Sequence, residues 1–318
     1  MIRKISPRRL LARVLPAAML LPCLALAAPF AYVSNEKSGT VSVIDTATDT
    51  VVADMKAGAK PRGAAAARNV LYVSDQPANA LIMLDLQTRT NAGAVPLGES
   101  PEGVSSSAAG DWIAAASEVT NAVSFIDTTT KRKEFSVATS GKNPEHAVFS
   151  PDGKLVLVSA EEADTVDLID VAARKQVASI KVGMRPRGIA FTPDGKRAYV
   201  ACEIASLVYA IDVPGRMVLK EIKAGAFSNG VTMAPDGRRV YISNGKDGTV
   251  SAIDTATNAV VATIAVGKRP WNMAITPDGK KLYVANGRSN SVSVIDTATN
   301  AVSKEITVGE LPWGVVIQ

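Results

Sequence analysis

His146 is the only histidine of the chain, and Glu145 stands directly before it. An imidazole beside a carboxylate can exchange a proton near neutral pH, so the pair is a candidate acid–base group. It belongs to one of seven related segments in which a Gly-x-x-Pro, or its equivalent, is followed by Arg62, Glu102, Glu145, Arg187, Asn229, Trp271 or Trp313. Neighbouring positions hardly change between the segments while these seven differ, as expected of a ligand-binding surface on a uniform scaffold. The arginines suit a carboxylate or phosphate, the tryptophans suit a planar ring or sugar, and His146, Glu102 and Glu145 are the catalytic candidates. The plainer alternatives are drift of loop residues, an ordinary loop histidine, and tryptophans packed on Pro270 and Pro312.

Other chemistries lack their residues. Besides that one histidine the chain has two cysteines, Cys23 and Cys202, too few for the nitrogen and sulfur ligand sets of zinc, copper or iron–sulfur sites. There is no Cys-x-x-Cys-His for covalent haem and no glycine-rich loop opening a helix. No vicinal cysteine pair of the quinoprotein kind occurs either. The expectation is no metal site and no cofactor; the repeated aspartates could supply a carboxylate calcium site, yet their turn periodicity explains them without a metal.

The elements that must position these residues are repeats. A hydrophobic-Asp pair recurs at Ile44-Asp45, Leu84-Asp85, Ile126-Asp127, Ile169-Asp170, Ile211-Asp212, Ile253-Asp254 and Ile295-Asp296, with spacings of 40, 42, 43, 42, 42 and 42 residues. Within each period come Gly-x-x-Pro, a lean apolar run, Pro-Asp-Gly in most copies, a Tyr-Val-x-Asn type run and a Ser-Val-Ile-Asp-Thr type run. That order predicts four strands per repeat. Pro-Asp-Gly sets a tight turn, and Asp-Thr-Ala-Thr bonds the local backbone, so the recurring acids are structural. Seven repeats predict an all-β, seven-bladed β-propeller. The repeats begin at a second strand, Phe30-Ala-Tyr-Val-Ser-Asn, and end at a first strand, Pro312-Trp-Gly-Val-Val-Ile. The C-terminal strand is therefore expected to pair with the N-terminal blade and close the ring. In that geometry the fourth-to-first and second-to-third connections share one face, so all seven variable residues ring one mouth of the central channel. Ala109-Gly-Asp-Trp and Ala66-Ala-Arg-Asn depart from Pro-Asp-Gly, and Ser228 replaces the proline found in the other copies.

Residues 1–27 read as a cleaved signal peptide: five cations, Arg3 to Arg13, precede an apolar stretch too short to span a membrane. The mature domain is then residues 28–318, expected to be an exported, periplasmic monomer without a membrane span. All five cations account for the formal net charge of +5, so the mature chain is formally neutral. A general attraction to nucleic acid is not expected, although the mouth itself shows more cations than acids.

Tyr32-Val-Ser-Asn, Tyr241-Ile-Ser-Asn and Tyr283-Val-Ala-Asn, with the Ser-Val-Ile-Asp-Thr-Ala-Thr strands that follow, resemble the YVTN family of β-propeller repeats. The opening Tyr32-Val-Ser-Asn-Glu-Lys and closing Leu311-Pro-Trp-Gly-Val-Val are most similar to the propeller proteins associated with PQQ-dependent catabolism. That resemblance implies a periplasmic companion of quinoprotein alcohol oxidation. The leading expectation is a non-catalytic binding or scaffold module whose loop ring takes a small molecule or a periplasmic protein. The alternatives are a propeller-type lactonase or hydrolase using His146, Glu102, Glu145 and the arginines, and a module binding single-stranded nucleic acid.

Overall fold

Alternation of apolar and small residues, punctuated by turn residues, leaves each repeat able to form an antiparallel sheet but unable to bury both of its faces alone. The computed structural model describes residues 1–3 and 29–318, and it solves this problem by packing sheets face to face around an axis. The segment read as a signal peptide lies almost wholly outside the described residues. Its 28 strands, numbered β1 to β28 in chain order, form seven four-stranded sheets, and no α-helix occurs among the described residues.

Closure follows the expected scheme. The first blade has the order β28-β1-β2-β3, made of Pro312–Ile317 on the inside, then Phe30–Asn35, Thr40–Asp45 and Thr50–Lys56. Val315 pairs with Val33 and Val316 with Tyr32, while Phe30 and Gln318 exchange backbone hydrogen bonds at 2.9 and 3.0 Å. Side chains reinforce the seam: Lys281 Nζ reaches Asp49 at 2.7 Å and the Thr46 carbonyl at 2.8 Å, and the Tyr283 hydroxyl donates to Asp49. Seven apolar clusters lie between successive blades. The one at the seam packs Ala31, Val33 and Ile44 against Tyr283, Val292 and Val294.

The repeat motifs have local causes. In three blades the asparagine of Tyr-Val-x-Asn is buried and donates to hydroxyls of the third strand, as Asn35 does to Thr40 at 3.1 Å and Ser42 at 2.9 Å. The Ile-Asp-Thr aspartates accept backbone hydrogen bonds from their own turns, Asp254 from Ala256 and Thr257 at 3.0 Å each. Those backbone donors hold Asp254 below the usual aspartate range, as turn aspartates should be. Both departures from Pro-Asp-Gly are also explained. Ser107 Oγ accepts from Asp111 and Trp112 amides and Gly110 takes φ 71°, which preserves the turn. In the second repeat Arg68 (φ 47°) and Asn69 (φ 63°) form a two-residue hairpin turn, which accounts for the shorter 40-residue spacing.

The innermost strands are β4 (Pro61–Ala67), β8 (Pro101–Ser106), β12 (Pro144–Phe149), β16 (Pro186–Phe191), β20 (Ser228–Met233), β24 (Pro270–Ile275) and β28. Their glycines permit backbones to meet around the axis: a Cβ at Gly188 would lie 2.6 Å from the Asn229 carbonyl oxygen. Gly188→Ala is therefore expected to lower stability by about 1–3 kcal/mol, because backbone must shift on both strands. Urea unfolding measures it, and an unchanged midpoint and slope would contradict the crowded-axis account.

Candidate functional site

Every inner strand begins with a proline, or Ser228 in its place, and every one carries a register shift immediately afterwards. Pro61, Pro101, Pro144, Pro186, Ser228 and Pro270 pair normally with the second strand of their blade, and pairing resumes only two or three residues later. At the seam the same shift leaves Trp313 between Pro312 and Gly314. A β-bulge leaves its extra residue outside the ladder and re-aims its side chain. The seven variable residues sit in these bulges, where strand pairing does not dictate their identity. Hydrogen bonds between the two connections of one face, such as the Glu161 amide to the Asn143 carbonyl at 2.9 Å, hold the mouth together.

Six of the eight residues expected to bind a ligand line one cavity of about 160 Å³: Arg62, Glu145, Arg187, Asn229, Trp271 and Trp313. Glu36, Arg269 and Asn272 complete its wall. Glu102 and His146 do not line it. Glu102 is fully buried beneath Arg62, which donates to its Oε1 together with Gln76. Burial and the neighbouring Glu145 charge push Glu102 up to about 10. His146 lies flat against Trp313, ring centroids 5.5 Å apart with the planes 15° from parallel. Both of its ring nitrogens are shielded from solvent and make no hydrogen bond, although Asn272 is near. Burial and the Arg187 charge lower its pKa to about 4, so at neutral pH it is an uncharged platform under Trp313. The expected role of His146 as a base in contact with ligand is corrected accordingly.

Ser228, singled out because it replaces proline, is accounted for by local structure. Its buried hydroxyl donates to the Gly225 carbonyl at 3.0 Å and lies 3.3 Å from Asn244 Oδ1.

Four glutamates escaped the sequence reading. Glu36, Glu118, Glu161 and Glu203 each open a second-to-third strand connection, directly after the Tyr-Val-Ser-Asn run or its equivalent. Aligning that position as the Gly-x-x-Pro position was aligned is the signal that finds them. They convert a mouth read as basic into a network in which Glu36, Glu102, Glu145, Glu161 and Glu203 pair with Arg62, Arg185, Arg187 and Arg269, while Glu118 accepts from Ser100. Arg187 is the hub: it pairs with Glu145, with Glu161 at 3.1 Å and with Glu203 at 3.1 Å. Burial alone would depress Arg187, but the three carboxylates outweigh it and hold the guanidinium above its ordinary value. Six carboxylates against four guanidiniums leave no positive surplus inside the channel to attract a phosphate backbone. Two carboxylate oxygens, Glu102 Oε2 and Glu145 Oε2, are shielded and receive no hydrogen bond, and of these two residues Glu145 lines the cavity.

Comparison with known proteins gives the chain its family. Residues 130–310, more than half of its length, match the family described as lactonase, seven-bladed β-propeller. No curated protein sequence matches. Among solved structures, hydrazine synthase of Kuenenia stuttgartiensis superposes with a TM-score of 0.77 at 23% identity, over 89% of this chain and 99% of that one. A putative 6-phosphogluconolactonase from Bacteroides fragilis gives 0.78 at 20% identity, over 93% and 99%. A functionally unknown protein from Desulfotomaculum acetoxidans gives 0.79 at 17%, over 91% and 98%. At these identities the superpositions speak to the fold. The family match overturns the expectation of a non-catalytic binding or scaffold module and favours the lactonase alternative instead. The chain belongs to the seven-bladed β-propeller lactonase family.

Proposed function

We propose that the protein hydrolyses a small lactone in the cavity at the channel mouth. The observation that carries this reading is the shielded, unpartnered Glu145 Oε2 beside the cavity guanidiniums of Arg62, Arg187 and Arg269. A cavity of about 160 Å³ matches the space that holds a single benzene-sized ring, which suits a five- or six-membered lactone. Glu145 Oε2 takes a proton from a water whose oxygen attacks the acyl carbon. The charge that develops on the carbonyl oxygen falls to a cavity guanidinium. The acyl–oxygen bond of the ring then breaks, and the proton held by Glu145 passes to the departing alkoxide. The product is a hydroxy acid that releases its carboxyl proton to solvent, and the arginines match the charge of the resulting carboxylate. Trp271 and Trp313 offer faces to the ring, with His146 positioning Trp313 from below.

Residues 1–27, the YVTN-type repeat and the likeness to PQQ-associated propellers support placing this hydrolase in the periplasm. Oxidation of a cyclic hemiacetal yields a lactone, so a quinoprotein dehydrogenase nearby is a source of substrate of the right class. The test is a hydrolysis assay on a panel of γ- and δ-lactones. Turnover is expected for the unmodified protein, with kcat at least about 100-fold lower in Glu145→Gln, where the amide cannot accept the proton. Absence of turnover across the panel, or full turnover by Glu145→Gln, would remove this mechanism.

A further inference from the structure

On the same face as the cavity, two adjacent blades leave a groove of about 720 Å³ between their rim connections. Phe227 enters it from the connection leading into β20, and Lys268 and Arg269 from the one leading into β24. Lys246 and Arg288 come from the second-to-third strand connections of the same two blades. Arg269 also belongs to the cavity wall, where Glu203 holds its guanidinium. Lys246, Lys268 and Arg288 are exposed and make no ion pair among the described residues. The one carboxylate lining the groove, Asp247, accepts from the Ala226 amide at 2.7 Å.

Phe227 is a second, independent observation. Its neighbour Ser228 is explained by local bonds, whereas the Phe227 ring belongs to no apolar cluster among the described residues. The residue takes φ 57°, a left-handed conformation that bulky side chains seldom adopt and that Asn143, at the same offset of another repeat, takes at 59°. The ring is 36% exposed, with Lys246 Nζ 5.6 Å and Arg269 Cζ 5.7 Å from its centroid. An exposed aromatic anchor ringed by unpaired cations suits a partner of opposite charge.

The class of partner follows from the donors. The amides of Phe227, Lys246, Lys268 and Arg288 are spent on Ser206, Ala226, Ser289 and Lys268, at 3.1, 3.2, 2.7 and 3.1 Å. These residues therefore offer an anion only their long side chains, not the fixed backbone donors that grip a phosphate. Nucleic acid calls for cations that track many phosphates, but these sit in one groove and residues 28–318 carry no formal net charge. A ring seated in a groove does not reach the acyl region of a bilayer. Carboxylates spread along a polypeptide meet separate, mobile cations without such constraints.

We propose that this groove docks an extended acidic segment of a partner polypeptide, its carboxylates on Lys246, Lys268 and Arg288 and an apolar side chain against Phe227. The shared Arg269 puts the docked segment beside the cavity mouth, and docking does not require that the cavity hydrolyse lactones.

The experiment is fluorescence anisotropy with a labelled synthetic peptide of glutamates around a central tryptophan. A glutamine-for-glutamate peptide and oligothymidylate serve as comparisons, and vesicles of anionic phospholipid are tested by sedimentation. Saturable binding of one glutamate peptide per chain is expected, weakening as salt screens the exposed charges. Lys246→Glu combined with Lys268→Glu should weaken it at least about ten-fold. Phe227→Asn, which suits the left-handed backbone, should weaken it at least about five-fold. All three side chains are exposed, so both variants should keep the original unfolding midpoint. Absence of saturable binding to the unmodified protein overturns the proposal, whether or not the variants fold, and so does equal binding of the glutamine peptide. Tighter binding of oligothymidylate or of vesicles overturns the assignment of partner, and affinity unchanged in both variants overturns the assignment of groove. A protein that binds the peptide yet opens no lactone would refute the lactonase reading alone.

Discussion

Removal of residues 309–318 is expected to destroy the cooperative fold, with a fall in the unfolding midpoint of more than about 10 °C or loss of soluble protein. The deleted segment contains β28, the innermost strand of the first blade, which pairs with β1 and packs against β24 and β4. Its loss strips backbone partners from Ala31 to Asn35 and exposes the seam cluster containing Val315, Val33 and Tyr283. Burial of each large apolar side chain contributes about 1.5–3 kcal/mol, against a total stability of about 5–15 kcal/mol for an ordinary domain. A few such losses consume most of that margin. The truncation would also leave the inner edge of β1 without a partner strand. A circular permutant makes the control. Phe30 and Gln318 are hydrogen-bonded to each other, so a short linker between the ends, with new termini in the exposed turn at Thr257, should keep the unfolding midpoint close to that of the original chain. An unchanged midpoint in the truncation would refute closure by this strand.

Arg187→Ala is expected to cost about 3–5 kcal/mol of stability at neutral pH and to abolish any activity of the cavity. The guanidinium is 15% exposed and is shared by Glu145, Glu161 and Glu203, so truncation leaves three buried carboxylates facing one another. Breaking a buried ion pair on one side is far more costly than replacing both partners with apolar groups. Arg187→Lys should recover only part of the loss, since an ammonium cannot span three carboxylates as a planar fork does. The pH dependence separates charge from packing. Burial raises Glu203, but Arg187, Arg269 and Arg185 outweigh it and hold its carboxyl below the usual glutamate value. A depressed folded pKa stabilises the fold above the unfolded value and ceases to do so as pH falls through the folded one. The difference between unmodified protein and Arg187→Ala should thus shrink as pH drops below the ordinary glutamate range. Denaturant unfolding at several pH values measures it, and a difference independent of pH would assign the effect to lost packing.

How much of the site was legible depended on what kind of position each residue held. Arg62, Glu145, Arg187, Asn229, Trp271 and Trp313 were visible because each occupies the same offset in a repeat whose surroundings scarcely change. Their reach into one cavity follows from the bulge after each inner-strand proline, which no residue type announces. Glu102 occupies the same offset as Arg62 yet is sealed beneath it, where the Arg62 guanidinium covers its carboxylate. His146 looked like the chemistry of the chain because it is unique. Its partner Trp313 comes from the far end of the sequence, and only ring closure lays one over the other.

The number of blades, the order of strands within each blade, the turns and the swap of the first and last strands were all determined by the sequence alone. They rest on local causes repeated seven times: prolines and glycines at turns, aspartates bonding their own backbone, and alternation matched to a two-residue period. Only the tertiary structure decided the character of the channel mouth. Glutamates and arginines from different blades meet there at separations that no spacing along the chain encodes, so the balance of charge, the unpartnered carboxylate oxygens and the burial of His146 arise from closing the ring.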